Sequence, residues 1–280
     1  MRPLNQIACG DIVLSVHRTI IRNGSPIARM TPVEAEIAKI ASNTHETMRV
    51  SFANMLLSVC SEVPGASVDR ITGALAHRMG RRFFKGAAPY GGPCWPRDNE
   101  AFSVFMDAIH APSALPRAVH TFNEQHGQYV LRKILSLSHV GDTVGILGLA
   151  YKLGTPVIEA SFAIDLARWL IREGRSVVGW DPLAMHEARR VLGDAISYAE
   201  TCQACLKLSD LAVIVNPIHD LDALDWSTAR EITVVDCWRC LSPETVAQIA
   251  VYVPLGVGPN CDVAGWLKRV VGSSFELLTN

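Results

Sequence analysis

The pattern of apolar positions changes once along the chain, near His139. Before that residue, apolar side chains recur at intervals of three and four positions, the spacing of helices that bury one face. After it, short runs rich in β-branched residues alternate with amphipathic segments, as in a parallel sheet covered by helices. We therefore predict an α/β protein with a lead of residues 1–30, an all-α central domain of residues 31–138 and a doubly wound parallel-sheet domain of residues 139–280.

The longest predicted helix follows a lead in which residues 12–16 and 26–30 have the composition of short strands. Thr31 is a suitable N-cap, and Glu34 stands where the acidic member of a capping box is expected. The helix is predicted to end near residues 64–65, where proline and glycine follow one another. Its apolar residues are spaced to form one buried stripe: Val33, Ile37, Ile40, Met48, Phe52, Met55 and Val59.

The remaining predicted elements are shorter, and proline or glycine separates many of them. In the central domain the pattern predicts helices over residues 68–77, 99–109 and 115–137. In the sheet domain it predicts strands over residues 143–147, 176–180, 211–215 and 232–236, with helices over residues 161–172 and near residues 266–269.

A loop rich in proline and glycine, residues 85–98, places Cys94 just ahead of a helical pattern. Such a loop cannot form a regular helix or a central strand. If Cys94 lies at the N-terminus of the next helix, with Asp98 as the cap, the helix dipole and the cations Lys85 and Arg97 favour the thiolate. A thiolate attacks carbonyl carbon. The alternative is an inert, buried thiol in a structural turn.

Two further polar groups are candidates for chemistry. Glu36, Lys39 and Asn43 lie three and four positions apart, so they point to one side of the long helix, although a solvated face is the ordinary explanation. A group of four cations has a density suited to a diphosphate, with a solvated basic turn as the alternative: Arg78, Arg81, Arg82 and Lys85.

The loop sequence AAPYGGPCWPRD resembles the active-site loop of the UDP-glucose/GDP-mannose dehydrogenases, GxGYGGxCxPKD. The residues on matching positions are Tyr90, Gly91, Gly92, Cys94, Pro96 and Asp98, and Arg97 replaces the usual lysine. The resemblance implies two successive hydride transfers to NAD, which convert a sugar's primary alcohol to an aldehyde and then to a carboxylate. In that reaction Cys94 adds to the aldehyde, a hydride leaves the thiohemiacetal, and water cleaves the thioester.

Two segments of the central domain extend the resemblance. AEIAKIASN is similar to the family's AExxKxxxN helix, which implies that Lys39 and Asn43 face Cys94, where they can stabilise negative charge and hold a water molecule. Arg78-Met-Gly resembles the family's RIG, whose arginine reaches the nucleotide sugar of the neighbouring subunit, and so implies a homodimer. The resemblance assigns further residues to the substrate site: Phe84, Lys85, Tyr90, Gly91 and Gly92.

The sheet domain resembles the family's nucleotide-binding C-terminal domain, so we expect it to be Rossmann-like. Lys152 and Ser161 match the pattern GLxFKxxTDDxRxSP, which assigns Lys152 to the substrate. Arg239 resembles the arginine of the family's DxR, one position late, and is assigned to the same site. Glu159 stands where the family has an arginine, which reverses the local charge.

The resemblance implies NAD as the cofactor, but we assign no NAD site in this chain. The family has a GxGxxG turn in an NAD-binding domain ahead of the long helix, and the sequence contains no GxGxxG. In the first turn of the sheet domain, Gly145 and Gly148 flank Leu147, which occupies the position of the central glycine. A pyrophosphate is therefore not expected to approach that backbone.

The charge and composition of the chain limit the kinds of partner that it is expected to bind. A formal net charge of −1 and a pI near 6.7 argue against binding nucleic acid or a membrane surface through bulk charge. The sequence has neither an apolar run of membrane-spanning length nor a signal-peptide pattern, so a cytoplasmic protein is expected. No metal is expected, because buried free thiols are favoured over a zinc site for the two CxxC pairs, Cys202/Cys205 and Cys237/Cys240.

Two functional hypotheses stay open. Either the chain is the substrate-binding and catalytic part of a nucleotide-sugar 6-dehydrogenase that receives NAD from another chain or segment, or it is a non-oxidising relative that binds nucleotide sugars or serves in assembly. The first is favoured by Lys39, Asn43, Cys94 and Asp98, and the second by the altered residues 155–159. We predict that this chain alone does not reduce NAD. Whether the sugar carries UDP or GDP stays open.

Overall fold

The computed structural model describes residues 4–22, 24–229 and 232–271. The chain divides into two compact units, Met1–Ser42 and Asn43–Asn280. The domain boundaries proposed from the sequence stay predictions. The helices that precede the sheet are α1 (Leu4–Ile20), α2 (Pro32–Glu62), α3 (Val68–Met79), α4 (Trp95–Ala108) and α5 (Ala114–Leu135).

The lead contains helix α1, so the strands predicted for residues 12–16 and 26–30 are wrong. Ile12, Val16 and Ile20 are spaced by four positions, which suits one face of a helix. These side chains are exposed, and residues 26–30 adopt no regular structure. A short apolar run fits a strand and a helix equally well, and here the helical spacing prevails.

The start of α2 confirms the predicted capping box. The backbone N–H of Thr31 donates to Glu34 Oε2 at 2.6 Å, and the backbone N–H of Glu34 lies 3.3 Å from Thr31 Oγ1, its acceptor. These reciprocal bonds satisfy donors that the first turn of a helix leaves without partners. The helix therefore begins at Pro32, as predicted.

The buried face of α2 is not the predicted apolar stripe. Val33, Ile37, Met55 and Val59 are exposed, Val33 to 64%. The buried residues of α2 are smaller and more polar: Thr44, Thr47, Ser51, Ala53, Asn54, Leu57 and Cys60. Apolar spacing locates the helix, but tertiary contacts decide which face is covered. Here buried polar side chains such as Asn54 bond to the backbone of a loop instead of facing solvent.

Helix α4 begins at Trp95 with Cys94 as its N-cap, which confirms that the thiol lies at a helix N-terminus. Pro96 fits in the first turn, where its missing N–H would have no partner in any case. Asp98 therefore lies inside the helix, and its predicted role as the cap is wrong. The backbone N–H of Asp98 donates to the carbonyl of Cys94 at 2.8 Å.

Six parallel strands form one sheet in the order β3-β2-β1-β4-β5-β6, which confirms the predicted doubly wound fold. The strands are β1 (Thr143–Leu147), β2 (Ser176–Trp180), β3 (Ser197–Tyr198), β4 (Leu211–Ile214), β5 (Thr233–Asp236) and β6 (Val251–Pro254). The remaining helices are α6 (Phe162–Arg172), α7 (Met185–Leu192), α8 (Cys202–Lys207), α9 (Pro243–Val246) and α10 (Val263–Val271). The sequence prediction misses β3 and β6, which are the two edge strands. Within the described ranges, every helix is too short or too polar to cross a lipid bilayer.

One hydrophobic core joins the helical part to the sheet. On one face of the sheet, Val144 and Ile146 of β1 belong to the same buried cluster as Ile134 of α5 and Leu166 of α6. Trp226 is fully buried in a second cluster, together with residues of β4 and α8. Helix α5 thus packs in the core of the sheet domain, although it precedes the sheet in the chain.

Candidate active site

The first turn of α4 brings together three of the predicted catalytic residues. Cys94 is exposed, and Asp98, on the same turn, is only 5% exposed. Asp98 Oδ2 accepts a hydrogen bond from Asn43 Nδ2 at 2.7 Å, and Asp98 Oδ1 pairs with Arg97 at 3.2 Å. An exposed thiol at a helix N-terminus, beside an ordered carboxylate and amide, suits nucleophilic chemistry. Lys39 lies on α2 within the first unit, and its place at this site stays a prediction.

A buried polar network connects this turn to the loop that precedes it. Asn99 is fully buried, and its Nδ2 donates to Thr47 Oγ1 at 2.9 Å and to the hydroxyl of Tyr90 at 3.2 Å. Burial raises the pKa of the Tyr90 hydroxyl to about 12, so this group stays neutral at physiological pH. Tyr90 therefore holds the loop to α4 and α2 from the inside. Its contact with substrate stays a prediction.

Three residues outside the predicted site hold the backbone of the same loop. Asn54 Oδ1 accepts from the N–H of Ala87 at 2.8 Å, and His126 Nε2 lies 2.8 Å from the Ala87 carbonyl oxygen. Asn123 bonds both peptide groups of Tyr90, accepting from its N–H at 3.0 Å and donating to its carbonyl at 2.9 Å. The one sequence signal for these contacts is the spacing of Asn123 and His126, which places both on one side of α5.

Gly91 and Gly92 pack the loop directly against the segment that precedes α6. A Cβ atom on Gly91 would lie 1.9 Å from the carbonyl oxygen of Ala160, so a larger residue does not fit. Gly92 has a φ of +90°, and its N–H donates to the carbonyl of Glu159 at 3.0 Å. The two glycines thus join the thiol-bearing loop to the sheet domain, and their contact with substrate stays a prediction.

Phe84 belongs to the interior. It is 6% exposed and stacks on Phe52, with ring centroids 6.0 Å apart. The guanidinium of Arg49 lies 5.8 Å from the centroid of Phe84 and donates to the carbonyls of Met79 and Gly80 at the end of α3. Arg49 is absent from the predicted site, and it holds the turn on which the predicted basic cluster lies.

The other predicted cations of the substrate site face solvent. Arg78, Lys85 and Lys152 are all exposed. Lys152 Nζ lies 5.3 Å from the ring centroid of Tyr151, whose ring packs beside Gly92. This contact places Lys152 next to the loop, whereas Arg78 lies at the end of α3.

Arg239 is enclosed by protein groups. Its side chain is 6% exposed and forms a bidentate ion pair with Asp69, with N–O distances of 2.7 and 3.0 Å. It also donates to the carbonyls of Cys237, Leu255 and Gly86, at 3.1, 2.7 and 2.6 Å. A guanidinium has five N–H donors, and these contacts use all of them. Arg239 ties the end of β5 to α3 and to the start of the loop, and its predicted contact with a nucleotide stays a prediction.

The turn after β1 does not fit a dinucleotide. Asp181 Oδ2 accepts from the N–H groups of Leu149 and Ala150 at 2.8 and 3.0 Å. Asn216 Nδ2 donates to the carbonyl of Ala150 at 2.7 Å. In a dinucleotide site, backbone N–H groups of this turn and of the next helix are directed at the pyrophosphate. Here the carboxylate of Asp181 already accepts from two of these N–H groups, and the residues of this turn do not fit NAD.

The cysteines of the CxxC pairs are mostly interior. Cys202, Cys205 and Cys237 are buried, and Cys240 is half-buried. Burial raises the pKa of Cys202 and of Cys205 to about 12, which keeps both in the thiol form. Across the part of the chain that the structure describes, no cluster of three or more potential metal ligands is found.

The buried His126 is expected to make the stability of the fold depend on pH. Burial lowers the pKa of His126 from its usual 6.5 to about 4, while the unfolded chain takes up the proton near pH 6.5. Its stabilising contribution is therefore complete above pH 6.5 and is lost as the pH falls toward 4, by about 1 kcal/mol per pH unit. Denaturant unfolding of His126→Gln between those pH values is expected to lack this slope. His139→Gln, at an exposed histidine, is the matched control and should retain it.

The structure combines a Rossmann-like sheet domain with a helical part that carries an exposed thiol at a helix N-terminus. Two family models match the chain. The central domain of the UDP-glucose/GDP-mannose dehydrogenase family matches residues 33–125, and the UDP binding domain of the same family matches residues 145–243. The chain belongs to the UDP-glucose/GDP-mannose dehydrogenase family.

Individual relatives agree with this assignment. The chain is 34% identical over 229 residues to the UDP-glucose 6-dehydrogenase AglM of Haloferax volcanii, covering 79% of this chain and 52% of that protein. It is 29% identical over 215 residues to the UDP-glucose 6-dehydrogenase TuaD of Bacillus subtilis, covering 75% and 45%. A solved structure of a UDP-glucose dehydrogenase from the archaeon Pyrobaculum islandicum superposes with a TM-score of 0.78 at 30% identity, covering 88% of this chain and 56% of that one. The chain thus spans about half the length of the relatives it matches.

Proposed function

We propose that this chain supplies the nucleotide-sugar site and the reactive thiol of an NAD-dependent nucleotide-sugar 6-dehydrogenase. The observation that carries the proposal is the first turn of α4, where Cys94 is an exposed N-cap and Asp98 accepts a hydrogen bond from Asn43 at 2.7 Å. The relatives named above are UDP-glucose 6-dehydrogenases, and this chain spans about half of each. The complete activity is therefore part of the proposal.

Cys94 is the proposed nucleophile of the second oxidation. Its thiolate adds to the aldehyde carbon of the sugar, a C–S bond forms, and the carbonyl oxygen takes up a proton to give a thiohemiacetal. After oxidation of this adduct to a thioester, attack by water breaks the C–S bond, which releases the carboxylate and the thiol. The hydride acceptor of the family is NAD, which the turn after β1 does not fit, so we assign its site to another chain or segment.

Asn43, Asp98 and Lys39 have supporting roles in this proposal. The amide of Asn43 and the carboxylate of Asp98 are hydrogen bonded, which fixes both groups near the thiol-bearing turn. A carboxylate so held can accept a proton from the water that cleaves the thioester. Lys39 is proposed to stabilise the negative charge that develops on the oxygen at the reacting carbon.

Exposed cations are the proposed contacts of the nucleotide diphosphate. Lys85 and Lys152 flank the thiol-bearing loop, and both are exposed. Arg78 is proposed to reach the nucleotide sugar of a second copy of the chain, in a homodimer formed through the helical domain. The UDP binding domain that the family model describes supports a nucleotide sugar as the ligand. Both UDP-linked and GDP-linked sugars agree with these contacts.

A second candidate is a binding or assembly module that has lost dehydrogenase activity. It is favoured by the segment that precedes α6, in which Pro156, Val157 and Glu159 are exposed and Glu159 opposes an anionic ligand. The enclosure of Arg239 points in the same direction, because no N–H of this guanidinium is left for a phosphate. Ligand binding separates a dehydrogenase part from a scaffold that binds no nucleotide.

Calorimetric titration of the purified chain is expected to show binding of UDP-glucose or GDP-mannose. Arg78→Ala should raise the Kd about tenfold or more, because a hydrogen bond to a charged group contributes about 1.5–3 kcal/mol. Arg172→Ala, at another exposed arginine, is the matched control and should leave the Kd unchanged. If neither nucleotide sugar binds, the proposal fails and the assembly role is favoured.

NAD is expected not to bind in the same titration, and the purified chain is expected to form no NADH from NAD and a nucleotide sugar. The physical reason is the turn after β1, in which Asp181 accepts the backbone N–H groups that a pyrophosphate would need. NADH absorbance after mixing is the measurement, with Cys94→Ser as the control for non-specific reduction. Rapid NADH formation that depends on Cys94 would show that the chain holds its own NAD site.

A further inference from the structure

The segment that leads to Cys94 lacks regular structure but is buried. Residues 85–89 belong to no helix or strand, and Ala87 and Ala88 are 2% and 8% exposed. Buried peptide groups outside helices and sheets need other hydrogen-bond partners, and a lost partner costs about 1–3 kcal/mol. The partners of this segment therefore decide where the loop lies.

Side chains from two helices supply those partners at Ala87. Asn54 of α2 accepts from its N–H at 2.8 Å, and His126 of α5 lies 2.8 Å from its carbonyl oxygen. A carbonyl oxygen only accepts, so His126 Nε2 carries the hydrogen and donates it. The other ring nitrogen, Nδ1, lies 3.4 Å from Ser58 Oγ. His126 is 2% exposed, so the bond is shielded from competing water.

A second clamp of the same kind lies one turn earlier on α5. Asn123 bonds both the N–H and the carbonyl of Tyr90, at 3.0 and 2.9 Å. The ring of Tyr90 meets the ring of Trp95 edge to face, with centroids 5.8 Å apart. Trp95 is the residue that follows Cys94 and opens α4. A continuous set of contacts therefore runs from α5, through Tyr90, to the residue beside the thiol.

We propose that His126 and Asn123 are positioning residues for Cys94: by holding the peptides of Ala87 and Tyr90, they keep the thiol at the N-terminus of α4. The use of that thiol in sugar oxidation rests on the proposed function, but its position does not. Neither residue touches the reacting atoms in this proposal. Each acts through the loop.

The test is the rate at which iodoacetamide alkylates Cys94 in the full chain, followed by mass spectrometry of its peptide. The thiolate displaces iodide, so the rate reports on the exposed sulfur and its surroundings. His126→Leu removes the donor to Ala87 and is expected to slow alkylation at least threefold, because the sulfur is no longer held at the positive end of the α4 dipole. His126→Gln keeps an N–H donor of similar reach and is expected to restore most of the rate.

Internal and matched controls separate positioning from general loosening of the fold. Cys261 is exposed, and its alkylation rate in the same sample should not change. Gln125→Ala, at an exposed position of α5 between the two clamps, should leave the rate at Cys94 unchanged. Asn123→Ala is the second variant in case His126→Leu does not fold, since Asn123 is only partly buried, and it should slow alkylation similarly.

An unchanged or faster rate at Cys94 in Asn123→Ala and in any folded His126→Leu would overturn the positioning role. So would equal slowing in His126→Leu and His126→Gln, because a donor to Ala87 would then not matter. Titration of wild-type chain with nucleotide sugars tests the proposed function independently. Failure to bind sugar would leave the alkylation result intact, and failure of the alkylation test would leave sugar binding intact.

Discussion

Replacing Gly91 with alanine is expected to lower the free energy of unfolding of the second unit by about 3–4 kcal/mol. The added Cβ would lie 1.9 Å from the carbonyl oxygen of Ala160 and 2.9 Å from its carbonyl carbon. Both partners are backbone, so no flexible side chain can move aside. The loop must instead withdraw from the sheet domain, which breaks the hydrogen bond from the Gly92 N–H to the carbonyl of Glu159.

Gly73→Ala is the matched control for this substitution. Gly73 lies within α3, and an added Cβ would meet nothing within 4 Å. Alanine in a helix interior is more stable than glycine by about 0.5–1 kcal/mol, so this variant should be slightly stabilised. The measurement is the denaturant unfolding midpoint of both variants and of the wild type. Equal midpoints for Gly91→Ala and wild type would mean that the loop does not pack against Ala160 as described.

Asp236→Ala is expected to destabilise the sheet domain by about 4 kcal/mol, through loss of a fully buried acceptor. Asp236 ends β5 and is 0% exposed. Its carboxylate accepts from the backbone N–H groups of Trp238, Arg239 and Cys240 at 2.7–2.8 Å, and from the hydroxyl of Tyr252 at 2.9 Å. Alanine would leave these partly buried donors without their acceptor.

Two milder variants show whether hydrogen bonding is the cause. Asp236→Asn keeps the shape and one acceptor oxygen, so it should cost about half as much. Tyr252→Phe removes a single donor and should cost about 1 kcal/mol. Thermal and denaturant unfolding measure the loss of stability in Asp236→Ala, Asp236→Asn and Tyr252→Phe. If Asp236→Ala and Tyr252→Phe proved equally stable, the backbone donors after β5 would have to find other acceptors.

Much of the sheet domain is predictable from the sequence, because buried parallel strands are continuous apolar runs. Strands β1 and β2 begin and end where predicted, and they are central or next to the centre of the sheet. Strands β3 and β6 lie at the edges and are partly exposed. Strand β3 has only two residues, too few for a pattern, whereas β6 is a short apolar run, VYVP, that the prediction leaves unassigned. In the lead of the chain, the short apolar run of residues 12–16 suggested a strand, but it belongs to helix α1.

The site is predictable where a residue's chemistry is unusual for its position. Cys94 in a loop of glycine and proline stands out, and the family resemblance extends that signal to Asn43 and Asp98. His126 and Asn123 do not stand out, since each bonds to a backbone group that any residue could provide. Their spacing places both on one side of α5, but it does not show which segment that side packs against.

Arg239 shows that a motif position does not identify the partner of an arginine side chain. Motif position suggests a ligand contact, but a guanidinium binds a carboxylate as well as a phosphate. The choice between them depends on whether an aspartate lies within reach in the fold. Asp69 does lie there, although the two residues are far apart in the chain, and the sequence pattern around either residue does not indicate the pair.

The core shared by α5, α6 and β1 determines how this protein can be dissected. Val144 and Ile146 share one buried cluster with Ile134, so a cut near residue 138 would divide that core between two fragments. Each fragment would expose apolar surface that is now interior, and would tend to aggregate. An expressed fragment of the sheet alone is thus a poor reagent for nucleotide-binding experiments. Point variants in the intact chain are the sounder route to assigning its ligands.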